Sequence, residues 1–320
     1  MRNVAFVAGV LGAAVLLGGA LSLAQSAGKK KTVRRSRPPK FDQGVLDLFA
    51  PDPKSLLKGE RPARTGTARP VVPVPTPGGK TPTPPPAAGG FAWSKIISRD
   101  TLESEVKRMN DVVQTTVTTP GRYNSGDHRQ GQICFSTLAV VFAVINEYDG
   151  DVRWKDLAAG TRNLFARAGK NSKVGSDAAY QEAKLRRDDL QQLVRSILID
   201  VPKTDAKTVW PDVTERSPLM KRLELAYDKR IKGWVSSGGE FSNRGAEIAH
   251  EAEIVAMLAE VLTRQGMKDG DEQEYTGLAV QMKTAARSLV EAVKTKDYAG
   301  ASQAAAGITK SCSACHETWR

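Results

Sequence analysis

The chain ends ASQAAAGITKSCSACHETWR, residues 301–320, a stretch that carries both a periodicity and a motif. Ala301, Ala305, Ile308, Cys312, Cys315 and Trp319 recur at intervals of three and four, which puts them on one face of an amphipathic helix. The same rhythm runs upstream. Leu219, Leu223, Tyr227, Ile231 and Trp234 form one stripe. Ile248, Ala252, Val255, Ala259 and Leu262 form a second, stopped by Gly266, and Leu278, Met282, Ala285, Leu289 and Ala292 a third. Ser217-Pro218 reads as an N-cap and a proline at the first helical position. Amphipathic helices with mostly short links bury their stripes against one another as a four-helix bundle, and no alternating strand pattern competes.

Farther upstream the rhythm repeats at Leu102, Val106, Met109 and Val113, at Leu138, Val141, Phe142 and Ile145, at Leu157, Thr161, Leu164 and Ala168, and at Ala183, Leu190, Leu193, Val194 and Ile197. The sequence therefore predicts an all-α protein with two helical bundles joined near Asp200–Asp205. Laying Leu138 over Ile254 aligns the second helix of each set at a shift of about 116 residues, which fits either a degenerate duplication or an unrelated helical domain. At that shift Ser196 and Ile199 stand opposite Cys312 and Cys315, so the upstream bundle lacks the cysteine motif.

The N-terminal part has a different character. An apolar run from Val4 to Ala24 follows Arg2 and leads into the small residues of Leu23-Ala24-Gln25-Ser26-Ala27, the pattern of a secretory signal or of an uncleaved anchor. Both place the remainder outside the cytoplasm. From Arg61 to Gly90 the chain is rich in Pro, Thr and Gly, a composition that cannot bury enough apolar surface to fold and favours an extended spacer. The expected organisation is a signal or anchor over 1–27, a basic, Pro-rich disordered linker over 28–97, a helical bundle lacking the cysteine motif over 98–203 and a second bundle that carries it over 204–320.

The formal charge of +12 is unevenly spread: residues 27–97 hold 14 Lys and Arg against 4 Asp and Glu, and residues 98–320 hold 32 against 31. The globular part is nearly neutral, which argues against a nucleic-acid partner. The basic excess instead suits a solvated tail or contact with an anionic membrane or cell-wall surface through the N-terminus. With 3 cysteines in all, two of them in one motif, a disulfide framework is excluded, and Cys134 is expected to pack as a small apolar residue.

Cys312-Ser313-Ala314-Cys315-His316 has the form C-x-x-C-H. Two thiols three positions apart on a helical turn can each add to a vinyl group of one porphyrin, and the next residue offers its imidazole to the iron. The motif predicts a covalent haem c on Cys312 and Cys315, with His316 as the ligand to iron. A thioredoxin-like redox pair would need a βαβ setting, which the helical pattern denies. A structural zinc site would need a fourth ligand from His250 or Cys134.

The bundle around the motif resembles the cytochrome c′ family, whose four-helix domains end in C-x-x-C-H followed by an aromatic residue and an arginine. Here Trp319 and Arg320 complete that ending, and the resemblance extends over about residues 217–320. It implies that His316 is the proximal ligand, that Arg320 lies near the proximal haem face, and that the first helix of the bundle crosses the distal face with Leu223 nearest the iron. An apolar residue there implies five-coordinate, high-spin iron open to nitric oxide or carbon monoxide. Met220, Met282 and His250 remain the alternatives for a sixth ligand, and any of them would make the protein a plain electron carrier. Arg320 as a solvated last residue and Trp319 as core packing are the plainer readings of those two. Family members are typically single bundles, and they often pair as homodimers.

The expected function is that of an exported, non-enzymatic c-type cytochrome, with no catalytic residues, serving electron transfer with an unidentified redox partner, binding of a diatomic gas, or both. An envelope interaction or sensor protein that uses the haem as its input is the second reading. Peroxide or nitric oxide turnover is a weaker third, because only His250 offers an acid or base above the iron.

Overall fold

The structure, a computed structural model, describes residues 91–320. The expected signal or anchor and nearly all of the basic, Pro-rich segment lie outside the described residues. Among those described, the fold is all-α without strands, and no helix is long and apolar enough to cross a membrane. They belong to one compact unit.

The upstream set comprises α1 (Arg99–Thr116), α2 (His128–Glu147), α3 (Ala158–Asn171) and α4 (Asp177–Val194). The downstream set begins with α5 (Arg216–Ala226), prolonged by a π turn (Tyr227–Ile231) and a last turn (Lys232–Trp234). A short α6 (Gly238–Asn243) precedes α7 (Gly245–Leu262), α8 (Gln273–Thr295) and α9 (Tyr298–Thr318). Shifted by 116 residues, α2 would span 244–263, within a residue of α7 at each end, and the other upstream helices fall on α5, α8 and α9 in order.

Local chemistry explains the boundaries. Ser98 caps α1 by accepting from the Thr101 amide, Ser176 caps α4 at Ala179, and Asp297 caps α9 at the Gly300 amide. Gly266, at φ +81°, turns the chain after α7 in a conformation that disfavours a Cβ. One expectation needs correction. Glu215, not Ser217, occupies the N-cap of α5, so Pro218 is the third helical residue; its missing N–H belongs to the first turn, where no intrahelical acceptor exists in any case. Ahead of α2 the chain is already helical: a π turn (Tyr123–Asp127) leads directly into it, and the buried His128 sets Nδ1 3.1 Å from the Tyr123 carbonyl oxygen.

The two sets share one hydrophobic core. In the upstream set, Phe135, Phe142 and Phe165 fill the interior, with ring centroids 6.2 Å apart for Phe135–Phe165 and 5.6 Å for Phe142–Phe165. The sets meet through α1 and α2 on one side and α5 and α7 on the other. At the centre of that contact lies a buried ionic cluster. Arg222 of α5 donates to Glu105 of α1 from Nε at 3.0 Å and from Nη2 at 2.8 Å, and to Glu251 of α7 from Nη1 at 2.8 Å. His250 Nε2 lies 2.9 Å from the other Glu105 oxygen, while Arg230 and Arg108 reach Glu251 from the rim.

Burial most strongly opposes ionisation of Glu105, but the Arg222 charge and the His250 hydrogen bond prevail and bring its pKa down to about 2. At the edge of the contact, Ser98 donates through its amide and hydroxyl to Glu253, at 2.9 and 2.7 Å. Arg264 of the loop after α7 lies over the rings of Phe91 and Trp93, 3.9 and 4.7 Å from their centroids.

Candidate haem site

α8 and α9 pack closely because small residues line their seam; a Cβ on Gly307 would stand 3.1 Å from the Cβ of Ala285. α5 instead leans on α7 and on the upstream α2. Between α5 and the α8–α9 pair lies a cavity of about 620 Å³, bridged by Tyr227, whose hydroxyl donates to the Ala305 carbonyl at 2.6 Å and lies 2.5 Å from Thr309 Oγ1. The site therefore owes its existence to helix spacing: one pair is tight, and the opposite helix is held off by its own partners.

Cys312, Cys315, His316, Arg320 and Leu223 all line this cavity. The thiols stand on α9, one turn apart and half-buried. Burial, with the Asp228 and Cys315 charges adding to it, pushes the Cys312 thiol up to about 11, and burial raises Cys315 as well. Both are therefore neutral thiols at ordinary pH, and all three cysteines are free. Leu223, Val255, Leu262 and Met282 supply apolar wall, while Lys221, Glu224 and Asp228 reach the cavity from α5. Such a volume lies within the roughly 300–1,000 Å³ range of small-molecule and cofactor sites. An apolar chamber with two thiols and an imidazole on one helical face matches what a covalent porphyrin needs.

Met220 and Met282 also line the cavity, and Met282 Sδ lies 3.7 Å from Cys312 Sγ. His250 does not: it faces away, into the ionic cluster with Glu105, so it is removed as a distal ligand or proton donor. Cys134 is fully buried on α2, where burial raises its thiol to about 11, and it packs as a small apolar residue. Among the described residues no group of three or more His, Cys, Asp or Glu converges as a metal cluster.

Sequence reasoning missed Tyr275, which borders the same cavity, and Arg216, which lines an adjoining one. Tyr275 lies one turn before Leu278, where the stripe of α8 was taken to start, and an apolar position at that spacing was the signal that could have found it.

Residues 270–320 match the family model described as Cytochrome C', a span that takes in the whole of α8 and of α9 with its motif. The chain has no match among curated proteins or among solved structures. The C-terminal region is thus similar to the cytochrome c′ family, a likeness that supports a c-type haem protein of electron-transfer or gas-binding type, here preceded by a further helical module.

Proposed function

We propose that the downstream bundle holds one haem c, linked to Cys312 and Cys315 with His316 on the iron, and that the protein is an exported cytochrome which exchanges single electrons, binds a diatomic gas, or does both. The observation that carries this reading is the convergence of both thiols, His316 and Leu223 on one apolar cavity. When bound, the haem supplies the one-electron and gas-ligand chemistry of iron. The chain's own residues bind and exclude. Cys312 and Cys315 would hold the group covalently, His316 would ligate its iron, and Leu223 with Val255 and Leu262 would give it an apolar wall. These three wall residues carry no acid or base, the charged groups at the cavity being Lys221, Glu224 and Asp228, and our reading is of binding rather than enzymatic turnover. Arg320 lines the same cavity, and a guanidinium beside the imidazole side of the group would tune the iron potential. An extracytoplasmic, generally periplasmic address goes with the family.

The test is an optical and electron paramagnetic resonance spectrum of the purified chain, oxidised and reduced, with and without nitric oxide. Covalent haem with high-spin signals that shift on adding gas is the expected result. Low-spin signals indifferent to gas would restrict the function to electron transfer, and absence of covalent haem would refute the reading.

A sensor reading has one observation in its favour. Arg222, adjacent in sequence to Leu223, is bound to Glu105 of the upstream set, so a change at the cavity wall has a direct mechanical route into the haem-free helices. Hydrogen exchange in α1 that changes when nitric oxide is added would support it.

A further inference from the structure

Tyr275 carries a polar group that the haem reading leaves without a task. It stands in the first turn of α8, 2% exposed; the Arg216 guanidinium comes within reach of its hydroxyl oxygen as a donor, but the O–H itself meets no acceptor among the described residues. A buried hydroxyl left unpaired costs about 1–3 kcal/mol, which a ligand that pairs it would recover. The ring is held in place, edge-on to Trp319 at a centroid distance of 5.8 Å, with the Arg216 guanidinium 5.7 Å from its centroid.

Tyr275 borders both the cavity described above and an adjoining one of about 720 Å³. Arg216, Lys268 and Arg320 line that second cavity against a single carboxylate, Glu215, which is itself ion-paired with Lys173. Arg216 engages Asp269 through Nη1, which leaves other N–H groups of the guanidinium free to donate. A guanidinium has no lone pair to accept with, so the Tyr275 O–H can be satisfied only by an acceptor that comes from the cavity. The positive surroundings select a charged acceptor over a neutral one.

We propose that Tyr275 and Arg216 form a binding site for a small oxyanion of carboxylate or phosphate type. The oxyanion has two sources, a propionate of the bound haem or a free anion entering the second cavity. Only the propionate source rests on the haem reading.

Calorimetric titration of the purified full chain with inorganic phosphate and with acetate tests the free anion, and the propionate bending band in the resonance Raman spectrum tests the haem carboxylate. A free-anion site gives saturable binding that Tyr275→Phe weakens about tenfold or more, and that Arg216→Gln weakens likewise. A propionate site gives no anion binding, but Tyr275→Phe shifts the Raman band. Tyr275→Phe keeps the ring and its packing on Trp319, so the fold survives the change. A titration without saturable binding together with an unmoved Raman band overturns the proposal, as does binding that Tyr275→Phe leaves intact. A chain without haem would still report on the free anion, so failure of the haem reading is seen separately.

Discussion

Leu223 and Met220 stand one turn apart on α5, and both line the haem cavity, yet only the thioether can bind iron. With Leu223 over an open iron, Met220→Leu leaves the electron paramagnetic resonance spectrum high-spin and unchanged; loss of a low-spin signal in that variant would identify Met220 as the sixth ligand. Leu223→Ala relieves crowding, and carbon monoxide association measured by flash photolysis rises about tenfold for each 1.4 kcal/mol of barrier removed. At the attachment face, Cys312→Ser combined with Cys315→Ser abolishes haem staining on a denaturing gel. The thiols were legible from spacing alone, because porphyrin geometry sets that spacing. Leu223 rested on the family resemblance; the structure puts it on the wall of the cavity that the thiols also line.

At the scale of the element, α5 has two faces with different duties. Leu223 and Tyr227 border the cavity, while Arg222 lies in the ionic cluster and Arg230 at its rim. Arg222→Ala strands Glu105 and Glu251 in the interior without their main partner, and chemical denaturation is expected to show a loss of about 3–5 kcal/mol. The depressed pKa of Glu105 gives the sign of the pH dependence. Its contribution to stability is fully present above the ordinary carboxylate value near 4.5 and is lost as pH falls from there toward about 2. Glu105→Gln removes that acid-side dependence, which urea midpoints measured between pH 5 and pH 2.5 would show as a flatter profile. The stripes predicted α5 as a helix, but its polar interior face was invisible: Arg222 reads in sequence as one more solvated charge.

For the whole molecule, the contact between the sets is self-complementary. α2 packs on α5 and α1 packs on α7, and the shift of 116 residues exchanges these two pairs. With a shared core and a buried ionic cluster across the seam, the two sets are expected to unfold together. Differential scanning calorimetry of the haem-loaded chain should show one transition whose van't Hoff and calorimetric enthalpies agree; two separated transitions would mean that the seam is weak. Residues 204–320 expressed alone would expose Arg222 and Glu251 without Glu105, and should melt at a lower temperature than the full chain.

The sequence by itself determined the helical class, the helix stripes of both sets, and the thiol and imidazole of the haem motif, because periodicity and covalent spacing are local properties. Only the tertiary structure decided that the two sets share one core, that His250 turns from the cavity toward Glu105, and that Tyr275 meets a cationic cavity with its O–H donor unpaired. Each of these depends on which residue a distant helix brings opposite: Glu105 and His250 are separated by 145 positions, and no local pattern records their meeting.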